Sequence, residues 1–377
     1  MNKSKLSNPV RLIAFFLTAV ILTFTFGFTV DGWQIGNDTP IYSEQIPPSS
    51  TTQETEEKDE NEEATNPSDE SKDDEEIIIP KYYNWLTGLE CSEEISLKAP
   101  LAFVMNSSLP IYGLSSAEVV CEIPTEDGGT RLCLFISDTT NLWKIGSITK
   151  TRGYISNLSK FFGGICISAG SDDSITYSSC DVSDMYINLF NGNYQYTEFT
   201  DNVYTNKELL DTAIKASGVN RLINSAHILP YDFVEINDSE IIYLDTHATR
   251  IAITQSSKSV TEFKLNNETG NYLLYHNGLI KTDAITNKSV EYKNCFVLFA
   301  DSVTYDNFEC SQMIMDTLGS GRGFYFTNGT VCEINWVSSS DGSLSFYQPD
   351  GQKLIINRGR SYISFMKSSR MDNLFYE

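Results

Sequence analysis

The sequence predicts an α+β protein, in which an N-terminal α/β domain and a β-rich C-terminal domain follow one transmembrane helix and a disordered acidic linker. Three observations predict it: an uncharged run near the start, an acidic stretch after it, and a change from mixed to strand-like patterns near residue 249. They divide the 377 residues into a basic tail (1–11), an anchor (12–30), a linker (31–80) and two domains (81–248 and 249–377). A chain of this length holds about two domains of ordinary size.

The predicted anchor is the 19-residue run from Leu12 to Val30, which contains no charged side chain. A helix of that length rises roughly 28 Å, about the thickness of the hydrocarbon core of a bilayer. Basic residues precede the run and acidic residues follow it, so we expect a cytoplasmic N-terminus and an extracytoplasmic remainder. A cleaved signal peptide is the alternative, but its apolar region is usually shorter and its cleavage site has small residues.

The segment from Thr51 to Glu76 is strongly acidic, with thirteen Asp or Glu residues and two Lys. It has no aromatic residue and no apolar periodicity, so it cannot bury enough surface to offset the entropy of ordering it. We therefore predict a solvated spacer. The whole chain has a formal charge of −23, and the two predicted domains (81–377) show no cluster of basic residues. Both observations argue against nucleic-acid binding.

The N-terminal domain combines predicted buried strands with one clear helix. The apolar runs that indicate strands are Leu101–Met105, Val119–Ile123, Leu132–Ile136 and Gly164–Ala169. The helix follows Tyr204: Thr205 and Glu208 have the spacing of a capping box, and Gly218 supplies a stop signal.

The C-terminal domain alternates short β-branched and aromatic runs with hairpin turns at Asn277-Gly278, Asn328-Gly329, Asp341-Gly342 and Asp350-Gly351. The predicted strands are Tyr272–His276, Phe296–Ala300, Gly323–Thr327, Val331–Trp336, Leu344–Tyr347 and Tyr362–Met366. The glycine-rich stretch from Gly319 to Gly323 is followed by a strand pattern, so we interpret it as a strand entry and not as a phosphate-binding loop.

The eight cysteines and three histidines have no spacing typical of a zinc site, and we predict no metal and no organic cofactor. Cys121 and Cys133 flank the turn PTEDGG symmetrically, so they could face each other across a hairpin. Their spacing fits a disulfide, and a pair of buried free thiols fits as well.

Several motifs resemble the YerB-like family of bacterial lipoproteins, which pairs an N-terminal and a C-terminal domain of unknown function. They are NWLTGLECSEE (84–94), YGLSSAEVVCEIPTEDGGTRLCLFIS (112–137), KIGSITKTRGY (144–154), NVYTNKELL (202–210) and LGSGRGFYFTNGTVCEINW (318–336). The resemblance implies the paired domains and a tether to the outer face of the cell membrane. The tether differs, because this chain has an apolar run where the family usually has a lipidated cysteine.

The resemblance also supplies the candidate site residues. The polar positions of the family motifs fall on Glu122, Glu126, Thr130, Arg131, Arg152 and Tyr204. Asp201 stands where the family carries a histidine, and Lys281 occupies a further position that is often histidine. These departures imply that any catalytic or metal centre of the family is altered in this chain.

We expect a single-pass membrane protein that binds a cell-wall polymer or an envelope protein through a polar cleft around these residues, without catalysis. The alternative is a peptidoglycan hydrolase in which Glu122, Glu126 and Asp201 supply a pair of carboxylates for general acid and base roles. A third interpretation gives the same residues no ligand at all. Glu122 with Arg131, and Glu126 with Arg152, would then form ordinary ion pairs that hold the hairpin.

Overall fold

The computed structural model describes residues 80–171, 185–198, 202–224, 226–236, 238, 246–306 and 311–377. The predicted basic tail, the predicted anchor and all of the predicted linker except Pro80 lie outside these ranges. Within the described ranges, no helix is both long and apolar enough to cross a membrane. The anchor and the linker therefore stay predictions.

Short strands dominate the first half of the described chain. They are β1 (Tyr82–Tyr83), β2 (Glu90–Cys91), β3 (Leu101–Asn106), β4 (Val119–Pro124), β5 (Thr130–Ile136), β6 (Ile145–Ile148), β7 (Ile165–Ser168), β8 (Tyr186–Asn188), β9 (Tyr196–Glu198), β10 (Asn202–Thr205) and β11 (Asp232–Phe233). The four strands predicted from apolar runs correspond to β3, β4, β5 and β7. Each is almost entirely buried, as a continuous apolar run requires.

The described α-helices are short and all lie in the first half of the described chain. They are α1 (Glu93–Ser96), α2 (Gly153–Phe161) and α3 (Lys207–Ser217), and 3₁₀ turns occur at Leu114–Ser116, Leu189–Gly192 and Ser368–Asn373. Helix α3 was predicted, and Gly218 ends it with a φ of 68°. The predicted capping box is wrong by one residue. The cap is Asn206, whose side chain accepts from Leu209 N at 3.0 Å, while Thr205 ends β10.

The second half of the described chain is built from strands. They are β12 (Arg250–Ser256), β13 (Ser259–Asn266), β14 (Asn271–His276), β15 (Leu279–Ile280), β16 (Glu291–Tyr292), β17 (Asn294–Ala300), β18 (Ser302–Asp306), β19 (Ser311–Met315), β20 (Gly319–Thr327), β21 (Thr330–Ser338), β22 (Leu344–Tyr347), β23 (Ile355–Ile356), β24 (Ser361–Lys367) and β25 (Leu374–Tyr376). Asn277-Gly278 and Asn328-Gly329 turn with positive φ at both residues, as predicted. The glycine-rich stretch lies inside β20.

Strands from both halves form one large mixed sheet. Along its main path the order is β22-β21-β20-β17-β24-β4-β5-β3-β6-β10-β9, and β7 and β8 branch from β3. The halves meet where β24 runs parallel to β4, with Ser361 beside Val119 and Ser364 beside Glu122. Because β24 comes from the end of the chain, this junction joins residues more than 240 positions apart in sequence.

Both faces of the large sheet are covered. A smaller sheet, β15-β14-β13-β12-β25 with β16 beside β14, packs on one face. There Ile251, Ile253 and Phe263 share an apolar core with Val120 and Leu134. Helix α2 packs on the other face and contributes the aromatic and aliphatic side chains Tyr154, Ile155, Leu158 and Phe161. The described chain is therefore β-rich with few helices: two larger sheets and a helical layer, with three two-stranded sheets, β1-β2, β11-β23 and β18-β19, beside them.

Candidate functional site

Glu122 lies in the middle of β4 and is 1% exposed. Its side chain points toward the smaller sheet, because alternate residues of a strand point to opposite faces and Val120 packs into that core. Thr261 Oγ1 donates to Glu122 Oε1 at 2.8 Å, and Ser364 Oγ donates to Glu122 Oε2 at 3.2 Å. Both hydroxyls come from the second half of the chain, so Glu122 is bound across the junction.

Three more titratable side chains surround this carboxylate, those of His276, Lys281 and Tyr362. His276 lies directly across from Thr261 in the β13–β14 ladder. Tyr362 lies two residues before Ser364 on β24 and hydrogen-bonds Glu122. We call Glu122, Thr261, His276, Lys281, Tyr362 and Ser364 the Glu122 cluster. With Ser107, Leu132 and Leu274, five of these six residues line a cavity of about 10 Å³, the room that one water molecule needs.

The electrostatics of the cluster follow from burial. Burial lowers the pKa of His276, the Glu122 carboxylate opposes this effect and Lys281 reinforces it. Burial also lowers the pKa of Lys281, again opposed by Glu122. The phenol of Tyr362 is buried beside the carboxylate, so its pKa is raised well above the usual range. The cavity beside these groups has room for one water molecule and none for an organic substrate.

Thr130 is connected to the cluster through Ser107. Thr130 Oγ1 donates to Ser107 Oγ at 2.8 Å, and Ser107 Oγ donates to the Thr130 carbonyl at 2.6 Å. Lys281 Nζ donates to the Ser107 carbonyl at 3.2 Å. The structure therefore brings two of the predicted residues, Glu122 and Thr130, to one place. It adds His276, Lys281 and Tyr362, which the motif analysis did not select as site residues.

Glu126 and Arg152 form a separate group: Glu126 lies in the turn after β4, and Arg152 lies at the start of α2. Arg152 precedes α2, and its guanidinium makes a two-pronged ion pair with Glu126, in which Nη2 donates to Oε1 at 2.6 Å and Nη1 binds Oε2. Arg152 Nη1 also donates to Tyr154 OH at 3.3 Å. The predicted ion pair between Glu126 and Arg152 is confirmed. Burial raises the pKa of Glu126, but hydrogen bonds from Arg152 and from backbone N–H groups, together with the charge of Arg152, outweigh it and the net shift is downward.

Arg131 does not share a face with Glu122. In the β4–β5 ladder Glu122 is opposite Leu132, and Arg131 is opposite Ile123. Directly opposed residues project from the same face of a sheet, so Glu122 and Arg131 project from opposite faces. The expected Glu122–Arg131 ion pair is therefore wrong. Side chains alternate between the two faces along each strand, so two residues of one hairpin can be near each other in sequence and still project from opposite faces.

Tyr204 lies on β10, in a third location. Its ring makes an edge contact with Tyr112 at a centroid distance of 5.5 Å. Lys144 Nζ lies over both rings, 4.3 Å from Tyr204 and 4.1 Å from Tyr112, and forms an ion pair with Glu198 at 2.5 Å. Tyr204 therefore helps to enclose a cation of the chain itself. Asp201, the remaining predicted site residue, lies outside the described residues.

Cys121 and Cys133 are direct neighbours across the β4–β5 ladder, as the symmetrical spacing around the turn predicts. Both are buried free thiols. Of the two alternatives, a disulfide or a pair of buried thiols, the structure therefore shows the thiols. Burial raises the pKa of each thiol, which keeps both protonated near neutral pH. Among the described residues, no group of three or more His, Cys, Asp or Glu side chains is placed to hold a metal ion.

A groove of about 820 Å³ lies away from all three groups, and we call it the lateral groove. Its lining consists of Lys160, Gly163, Met185, Tyr186, residues 217–220, Leu222, Asn224, residues 226–228 and residues 341–343. Leu222 and Ile228 are 63% and 68% exposed. His227 is hydrogen-bonded to the Phe161 carbonyl at 3.0 Å. Ser339 and Ser343 donate to Asp341 and lower its pKa to about 2. The titratable side chains His227 and Asp341 are thus bound to the chain itself.

Two family descriptions match this chain. The N-terminal domain of a protein of unknown function (DUF3048) matches residues 86–220, and the C-terminal domain of the same family matches residues 251–363. The crystal structure of the YerB protein from Bacillus subtilis is similar, with a TM-score of 0.64 and 21% identity over 78% of this chain and 98% of that one. At that identity the likeness concerns the fold. No curated protein matches the chain.

Proposed function

Because the chain belongs to the DUF3048 family of paired N- and C-terminal domains, we propose that it is a membrane-anchored, extracytoplasmic module that binds a cell-wall polymer or an envelope protein. The uncharged run of residues 12–30 would anchor it as a single-pass protein with a cytoplasmic N-terminus. The acidic residues 31–80 would form a disordered spacer. The family contributes the fold and carries no activity of its own to this proposal.

The observation that carries the proposal is the lateral groove. Its volume lies in the range typical of ligand sites. Its walls offer amides from Asn220 and Asn224, and exposed apolar side chains from Leu222 and Ile228. His227 and Asp341 are held by hydrogen bonds within the chain, which supports recognition more than acid–base chemistry. A polymer or a peptide segment is the kind of ligand that such a groove accommodates.

The hydrolase alternative has less support. A pair of catalytic carboxylates must face one another across the substrate, at separations of about 5 to 10 Å. Glu122 points toward the smaller sheet, whereas Glu126 lies in the turn after β4 and binds Arg152 at the start of α2. Glu122 is fully buried and Glu126 is occupied by Arg152. Neither carboxylate is available to a polymer in this arrangement.

A sedimentation assay with intact peptidoglycan tests the proposal. The full-length protein in mild detergent should be retained on the wall material, with no muropeptides released into the supernatant. Ile228→Arg replaces an exposed apolar wall of the groove with a charged side chain and should reduce retention at least about tenfold, because a bound ligand would remove that charge from water. Leu279→Arg is the matched control, because Leu279 is 75% exposed on β15, outside the groove.

The other outcomes decide between the alternatives. Muropeptides that appear with the natural protein and disappear with Glu122→Gln would establish the hydrolase instead. Absence of retention would exclude a wall polymer as the partner. A crosslinking experiment in intact cells, with a photoreactive residue in place of Ile228, would then identify the envelope protein or contradict the groove proposal.

A further inference from the structure

A second pocket lies between the halves of the chain, around the exposed side chain of Trp143. The pocket has a volume of about 440 Å³. Trp143 is 61% exposed, whereas its neighbours Leu142 and Lys144 are buried. A single exposed aromatic side chain is ordinary on a protein surface. Two features distinguish Trp143: the polar groups that line the pocket beside it, and the hydrogen bonds that hold the walls of that pocket in place.

Five of the nine residues that line the pocket are polar and neutral. Hydroxyl groups come from Ser115, Ser116, Thr140 and Thr286, and an amide comes from Asn141. The two charged lining residues, Lys207 and Glu208, have opposite signs, and Lys207 is already ion-paired with Asp211. The pocket therefore offers no concentrated positive charge for a phosphate or a sulfate, and its apolar side chains are Trp143 and Ile285, too few to enclose a lipid chain.

Hydrogen bonds fix the walls of the pocket relative to one another. The fully buried Asp283 accepts from Ser115 N at 2.7 Å and from Ser115 Oγ at 3.0 Å, and it also accepts from Ile285 N at 2.7 Å. It thus joins the wall from the first half of the chain to the wall from the second. On the remaining side, Lys207 N at the start of α3 donates to the Leu142 carbonyl at 2.8 Å.

The loop that carries Trp143 is equally well anchored. Leu142 N donates to the Thr139 carbonyl at 3.2 Å, and Trp143 N donates to the Asn141 carbonyl at 3.0 Å. The next residue, Lys144, is held by Glu198 and by the rings of Tyr112 and Tyr204. Such a site loses little conformational entropy on binding, which favours even a small ligand.

We infer that this pocket is a saccharide subsite, in which an uncharged pyranose unit of a glycan stacks on Trp143. A pyranose ring has an apolar face of C–H groups and a rim of hydroxyls, so it needs both an aromatic surface and several neutral hydrogen-bonding groups around it. Trp143 supplies the surface, and Ser115, Thr140, Asn141 and Thr286 supply the rim. The inference goes beyond the lateral groove and requires neither the anchor nor that groove.

Titration of the full-length protein in mild detergent with chitotetraose, and separately with cellotetraose, tests this subsite through tryptophan fluorescence. At least one of the two should change the emission saturably. Trp143→Ala should weaken that binding at least about tenfold, the effect expected for loss of an aromatic stacking surface, and should leave the Tm unchanged because the side chain is largely exposed. Trp143→Phe, which retains a ring, should bind more tightly than Trp143→Ala. For these variants binding is measured by isothermal calorimetry.

Absence of binding by the natural protein with both sugars, or equal affinity of the natural protein and Trp143→Ala, would overturn the inference. Ile228→Arg separates the two proposals. It should leave the affinity for the oligosaccharide unchanged while it reduces retention on peptidoglycan. Saccharide binding without any wall retention would remove the proposed function and leave the subsite intact.

Discussion

Glu122 and Glu126 belong to the same hairpin, four residues apart, yet their carboxylates differ in burial and in the groups that bind them. Glu122 is fully buried at the junction of the halves and accepts hydrogen bonds from the neutral hydroxyls of Thr261 and Ser364. Glu126 keeps part of its surface in contact with solvent and is neutralised directly by the guanidinium of Arg152. Their partners come from different elements, β13 and β24 for Glu122 and the start of α2 for Glu126.

The comparison separates two ways of burying a charge. A direct ion pair depends strongly on its partner, because removal of one member leaves the other as an uncompensated charge. A carboxylate held by several neutral donors, with cationic groups nearby but without a direct ion pair, spreads its stabilisation over more contacts. The Glu122 cluster should therefore tolerate the loss of any one contact better than the Glu126–Arg152 pair tolerates the loss of Arg152.

The largest effect is expected for Arg152→Ala. It leaves Glu126 without its cation and Tyr154 OH without this donor, so the free energy of unfolding should fall by about 3 kcal/mol. Urea denaturation of the purified full-length protein measures this change. Arg152→Lys keeps the charge and loses the two-pronged geometry, so it should recover only part of the loss. A decrease below 1 kcal/mol would mean that the ion pair is only a surface contact.

Glu122→Gln should have the next largest effect, a decrease of about 2 kcal/mol. The amide keeps one acceptor oxygen, but its NH₂ group faces a hydroxyl that donated to the carboxylate. The negative charge close to His276 and Lys281 is also lost. The same urea assay measures this change. If Glu122→Gln lowered the free energy of unfolding more than Arg152→Ala does, the order of the two regions would be reversed.

Thr261→Val removes one donor to Glu122 with little change of volume, and we expect a decrease of about 1 kcal/mol. The double variant with Glu122→Gln tests whether the two residues act together. Because Glu122→Gln already removes the charge-assisted hydrogen bond from Thr261, the two decreases should sum to more than the decrease of the double variant. Additive decreases would show that the hydroxyl stabilises the fold independently of the carboxylate.

Much of the fold could be predicted from the sequence because its signals are local. The apolar runs of β3, β4, β5 and β7 and the Asn-Gly turns depend on neighbouring residues only. The strand β12 was missed because its buried positions are Ile251, Ile253 and Gln255, and the glutamine interrupts the apolar alternation. Helix α2 was missed because Ser156, Asn157 and Ser159 are buried polar residues, so its sequence lacks a clean amphipathic pattern.

The candidate site was harder to predict because it is assembled by distant pairing. The hairpin residues Glu122 and Thr130 were selected from their motif, but Tyr362 and Ser364 reach Glu122 only because β24 pairs with β4. His276 is one of three scattered histidines in the sequence. Its place across from Thr261 depends on the register of β13 and β14. Lys281 departs from the family motif, and that departure is a sequence signal that could have drawn attention to this cluster.

The smallest predicted effect is a pH dependence that distinguishes the two regions. Burial lowers the pKa of His276 in the folded protein, so the unfolded chain takes up more protons as the pH falls below about 6.5, and stability declines there. Burial raises the pKa of Glu126, but hydrogen bonds from Arg152 and from backbone N–H groups, together with the charge of Arg152, outweigh it and lower the pKa. Its contribution is therefore lost only as the pH falls below about 4.5.

The unfolding free energies of the natural protein and of His276→Gln, measured at pH 7.5, 6 and 5, separate the pH range in which His276 acts from the lower range in which Glu126 acts. The natural protein should lose more stability than His276→Gln between pH 7.5 and 5, because the variant lacks the group that is held neutral. His227 also has a pKa lowered by burial and is present in both proteins, so it cancels from the difference. Equal slopes would mean that His276 is solvated, and the cluster would then be as open to solvent as the Glu126–Arg152 pair.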